Sequence, residues 1–206
     1  MRRVIWSLIC AGFATLAAPA ALPAGEAGDA VFADRGPWSL QGRTLDWALT
    51  VSGPQAPGFV PIRAGSVSLT EAIDPSDRQP VLELVQKTDS RTRRIGPFPI
   101  SGGDPVLTFF LEQTTRDMAA LTGGSPFYIR NRIKDAVFRG GSIARQGEVA
   151  TASFQPFADD PNAGRMNGFQ TLTLTFVLGD PSQPIRELRA RTEGETPGYE
   201  NRMVLR

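Results

Sequence analysis

The chain has 206 residues, with 22 basic against 21 acidic side chains and a formal net charge of +1 at pH 7. It contains no histidine, and its single cysteine is Cys10. Near-neutrality removes long-range attraction to nucleic acid or anionic membranes, and the missing side chains exclude Ser-His-Asp and Cys-His triads and His-ligated metals. Carboxylates, arginines and hydroxyls remain.

Residues 1–24 read as a secretory signal peptide. Arg2 and Arg3 form a basic start, residues 4–16 are mostly apolar, and Ala18-Pro19-Ala20 and Leu22-Pro23-Ala24 offer small-residue cleavage sites. The apolar run falls short of the ~20 residues that span a bilayer. Ile9 stands before Cys10 where lipidation would want a small residue, so a lipoprotein is rejected. The expectation is a periplasmic or secreted protein of a bacterial envelope, not membrane-spanning once cleaved. Residues 25–206 then form a single β-rich α+β domain without cysteine, large enough to bury a sizeable core without disulfides. Without Arg2 and Arg3 the balance is 20 basic to 21 acidic, and all but Lys87 and Lys134 of those bases are arginine.

Residues 24–36 are small and polar, which suggests a flexible leader. Over 43–51, Leu45, Trp47, Leu49 and Val51 alternate with Asp46, Ala48 and Thr50, the period of a strand with one buried face. Val67 and Leu69 mark a second strand after a Gly/Pro-broken stretch at 52–61. Residues 81–88 and 91–95 should pair across Asp89-Ser90. Asp104 is then an N-cap with Pro105 in the first turn, predicting a helix over about 104–121 closed by Gly123. Ser125-Pro126 repeats that start for a second helix over about 126–139, ended by Gly140-Gly141. The connection is very short, so the two should form a helical hairpin. Strands resume at 148–157, at 170–178 and at 185–192, the last Arg-rich and suited to a sheet edge. Tyr199, Met203 and Leu205 suggest a closing strand. The expected fold is a curved or partly closed antiparallel sheet of about 7–8 strands with a central helical hairpin. At the level of fold class this is similar to envelope lipid and lipoprotein carriers, although no motif carries the resemblance.

Few clusters point to chemistry. The Gly-Gly pairs beginning at Gly102, Gly123 and Gly140 punctuate helices, and Asp104 sits where a phosphate would have to bind. Asp159-Asp160-Pro161-Asn162-Ala163-Gly164 could supply oxygen ligands to calcium but is also ordinary turn chemistry, and the choice stays open. No metal or cofactor is assigned. Glu112 and Asp117 fall on different sides of the first helix, and Glu112 with Arg116 reads as a surface i,i+4 pair. Arg130, Arg132, Lys134 and Arg139 on the second helix, with Arg91, Arg93 and Arg94 before the hairpin, could form a basic patch or simply decorate solvated faces.

Phe109 falls nearly opposite the apolar face of its helix, as do Phe127 and Phe138 on theirs. Either the hairpin is buried on both sides, or its back is an aromatic-and-cation surface. These residues point to a non-enzymatic binding or accessory protein that holds an amphipathic or anionic-headgroup ligand between hairpin and sheet. Phe109, Phe127, Tyr128 and Phe138 would make the apolar contacts, and Arg130 and Lys134, one turn apart, would meet the anion. A carboxylate-based enzyme acting on an envelope polysaccharide, or a structural member of an envelope complex, are the alternatives. Partners are accordingly a lipid-like small molecule or an envelope protein, and no nucleic acid.

Overall fold

The alternation around Trp47 becomes strand β1 (Leu45–Ser52), whose Trp47, Leu49 and Val51 are at most 2% exposed. In this computed structural model residues 25–194 and 198–206 are described; the expected signal peptide at 1–24 lies outside the described residues. Eight further strands follow: β2 (Ile62–Ile73), β3 (Pro80–Lys87), β4 (Thr92–Pro99), β5 (Ser142–Gln146), β6 (Val149–Phe154), β7 (Thr173–Leu178), β8 (Glu187–Arg191) and β9 (Glu200–Leu205). All pair antiparallel in one curved, unclosed sheet of order β4-β3-β2-β1-β9-β8-β7-β6-β5. The fold is α+β, as expected, with nine strands among the described residues where about 7–8 were expected.

The topology is two meanders joined at one seam. β1 to β4 run outward from the centre to one edge, and β5 to β9 return from the other edge, so that β9 pairs with β1. The link from β4 to β5 must therefore cross from one edge of the sheet to the other. It does so as the expected hairpin, α2 (Pro105–Thr122) and α3 (Pro126–Arg139). Asp104 Oδ1 accepts from the Val106 and Leu107 N–H at 2.8 and 3.1 Å, and Gly123 ends α2 in the left-handed region at φ 69°. Ser125 makes no side-chain cap, so α3 starts on Pro126 alone. One continuous core holds side chains from both meanders and from the three described α-helices, including Val31, Leu49, Phe110, Val137, Phe176 and Met203. No described helix is long and apolar enough to cross a membrane.

Two expectations need correction, and one strand was not foreseen. The leader is not loose: α1 (Glu26–Val31) buries Ala27 and Val31 against the core, and Arg35, 7% exposed, donates to the carbonyls of Ala30, Val31, Ala33 and Gln183. Residues 185–192 do not make an edge. β8 lies between β7 and β9, and its charges find partners across the strands, Arg189 to Glu200 at 2.6 Å and Glu187 to Arg202 at 2.7 Å. The true edge at that end is β5, where only Ile143 is buried, so no alternation announced it.

Candidate ligand-binding cleft

Strand β3 turns its Leu82, Leu84 and Gln86 toward the helices, each no more than 3% exposed. In β4 the matching positions are Ile95, opposite Leu84, and Arg93, opposite Gln86. The inward row thus changes from apolar to polar at the turn end of this strand pair, where the core stops. α2 lies over that end. The helical period brings Gln113, Arg116 and Asp117 to the same side, and between helix and strands opens a cleft of about 350 Å³. Gly58 to Ile62 and the β3–β4 turn with Asp89 and Arg91 close its rim.

The electrostatics are uneven. Arg91, Arg93 and Arg116 converge on the cleft, and none forms a salt bridge among the described residues. Burial, followed by repulsion from Arg116 and Arg91, draws the Arg93 guanidinium below its ordinary pKa. Arg93 Nε is buried with no hydrogen-bond partner among the described residues. An unanswered guanidinium N–H away from water is costly, and an incoming acceptor relieves the cost.

Asp117 forms the floor. Its Oδ2 accepts from the Tyr199 hydroxyl at 2.9 Å and its Oδ1 from Gln113 Nε2 at 2.6 Å. Burial pushes its carboxyl up to about 6, against the opposing pull of those two donors and of Arg116. Tyr199 is fully buried, so its phenol is pushed well above its ordinary value, first by burial and then by the Asp117 charge. Asp89 also borders the cleft, but its oxygens accept from the backbone N–H of Arg63 and Ala64 at 3.0 and 3.2 Å.

The residues selected from sequence do not share one cavity. Phe109 is 5% exposed and belongs to the core, so it is no part of an outer aromatic surface. Tyr128 donates to Asp160, which also accepts from the Asn162 N–H at 2.8 Å and lies 2.8 Å from Arg132 Nε. Burial works to raise the Asp160 pKa, but the Asn162 N–H, the Tyr128 hydroxyl and Arg132 together hold it below the usual range. That carboxylate ties the 157–166 loop to α3 and has its oxygens answered by protein donors. No group of three or more acidic residues among the described residues is placed to hold a metal.

Glu112 pairs with Arg130 of α3 at 2.6 Å, and not with Arg116, which bonds Gln113 Oε1 instead. Across the hairpin the two helices present these side chains to each other, whereas Arg116 is drawn to the cleft. Arg130, Lys134 and Phe138 do border a common groove between α2 and α3, with Phe32 stacked on Phe138 at 4.3 Å. Lys134 Nζ sits 5.8 Å over the Phe138 ring. Phe127, 70% exposed, stands at the far end of α3 and borders neither cavity. Of the basic cluster before the hairpin, Arg91 and Arg93 meet Arg116 of α2 and no cation of α3, and Arg94 turns to the opposite face to pair with Glu83. Arg116 and Gln86 were missed as site residues. For Gln86 the signal was a polar residue in an inward strand position; for Arg116 the sequence carried none.

Compared with known proteins, the sequence matches no protein-family model and no curated relative.

Proposed function

We propose that this is an exported, non-enzymatic binding protein whose cleft between α2 and the β3–β4 end of the sheet takes the anionic group of a small ligand. The observation that carries the reading is the convergence of Arg91, Arg93 and Arg116 on one cavity, none of them in a salt bridge among the described residues. Repulsion among three such charges is unfavourable in the empty site, and an anion removes it. Export rests on the signal-like residues 1–24. A carboxylate enzyme would need two acids addressing one substrate; of the two acids bordering this cleft, Asp89 is spent on the backbone of residues 63 and 64. A structural role in an envelope complex would use the exposed Phe127 and Phe138, which the cleft does not require.

The test is titration calorimetry with butyrate and with ethyl phosphate on the exported protein and on its Arg93→Met/Arg116→Met double variant. Methionine keeps much of the stem packing and removes charge and donors. At least one anion should bind the wild type, and the double variant should bind it at least about a hundredfold more weakly, as expected for two charge-assisted contacts. Equal affinity in the two proteins, or no binding of these anions or of their amino-bearing analogues to the wild type, would overturn the proposal.

A further inference from the structure

The cleft holds charges of both signs that do not neutralise one another. Asp117 is 6% exposed and has no salt-bridge partner among the described residues, although three arginines line the same cavity. Neighbouring residues on a helix do not face each other, so Arg116 and Asp117 cannot pair easily. Gln113, three and four residues earlier, reaches both. Its Oε1 accepts from Arg116 Nη2 at 3.1 Å and its Nε2 donates to Asp117 Oδ1 at 2.6 Å. The amide therefore stands as a neutral bridge between a cationic and an anionic pole. Each Asp117 oxygen accepts a single described hydrogen bond and keeps a lone pair for a further donor.

A simple monoanion would satisfy the guanidiniums but be repelled by the carboxylate beneath them. A ligand with a positive group at its other end answers both poles and relieves the burial cost of Asp117 as well as that of Arg93. We infer that the cleft takes a small zwitterion, its carboxylate or phosphate held by Arg91, Arg93 and Arg116 and its ammonium by Asp117. The inference rests on the anion-binding reading of the cleft and adds the second pole. The cavity volume of about 350 Å³ suits an amino-acid-sized molecule and not a long-chain lipid.

The experiment compares pairs matched in size and anion: γ-aminobutyrate against butyrate, and phosphoethanolamine against ethyl phosphate. The first pair tests a carboxylate ligand and the second a phosphate ligand. Affinities are measured at pH 8, above the value of about 6 to which burial pushes the Asp117 carboxyl, so that Asp117 carries its charge. In at least one pair the zwitterion should bind at least about tenfold more tightly, the margin of one charge-assisted contact, and Asp117→Asn should abolish the difference. The wild-type comparison stands by itself if that variant fails to fold. Zwitterions no tighter than their matched anions, with anion binding still dependent on Arg93, would overturn this inference and leave the anion site intact. A preference that survives in Asp117→Asn overturns the assignment to Asp117, and no binding of any of the four compounds overturns both readings.

Discussion

Asp117 gives the stability of this protein an unusual sign of pH dependence. Its carboxyl is pushed up to about 6 in the fold, from an ordinary value of 3.8. A raised carboxyl pKa means that the folded state holds the proton more tightly than the unfolded chain does. The stabilisation is complete below the unfolded value and is lost as pH rises through about 6. A shift of that size corresponds to roughly 3 kcal/mol. Asp160 works the other way, since its lowered pKa gives stability at neutral pH that acid removes. The two are separated by comparing melting temperatures of wild type and Asp117→Asn from pH 3.5 to 8. The variant should gain on the wild type by several degrees across that window; a constant difference would show that the Asp117 proton is not coupled to folding. Little of this was legible in the sequence. Gln86 follows Leu82 and Leu84 at a period of two in a segment that was read as a strand, so its burial could have been inferred. That Arg93 would meet Arg116 could not, because it depends on where α2 crosses the sheet.

Elements were legible where one side of them faces water. The alternation of β1 and β7 and the cap-and-proline start of α2 each follow from local rules, and each formed within a few residues of its expected bounds. Elements defined by their neighbours were not. β8 carries arginines like an edge strand because Glu200 and Glu187 pair with Arg189 and Arg202 across the ladder. α1 has six residues, too short to be stable alone, and it survives by packing. Gly28 is what allows that packing, since a Cβ there would come within 2.3 Å of the Val137 carbonyl oxygen on α3. Arg35 then closes the helix by binding its final carbonyls with a guanidinium whose pKa burial lowers. Arg35→Ala should destabilise the protein by about 2 kcal/mol, because buried carbonyls lose their donor. In limited proteolysis the variant should be cut between residues 25 and 40 before any cut in the sheet. A variant as resistant there as wild type would show that α1 docks without this anchor.

At the scale of the molecule, the decisive feature is that the β4–β5 connection spans the whole sheet. Among the described residues the two meanders share sheet hydrogen bonds only along β1 and β9, and the hairpin lies across both, so neither half has a core of its own. Leu49 and Met203 are opposite each other at that seam and fully buried. Pairing β1 with β9 must bring together segments from near the two ends of the described chain, a closure that delays folding and makes it cooperative. Met203→Ala removes packing from the seam and should cost roughly 2–5 kcal/mol. Because the seam serves both meanders, amide hydrogen exchange in this variant should quicken equally in β2–β3 and in β6–β7. The edge strands β4 and β5 should exchange early in both proteins, each having a partner on one side only. Faster exchange confined to β6–β9 would mean that the first meander keeps its structure when the second opens. In that case the ligand cleft, built from β3, β4 and α2, would sit on an independently stable half. Equal loss in both halves would instead make occupation of the cleft a stabiliser of the entire nine-stranded sheet, so that a ligand added to the variant restores protection as far away as β7.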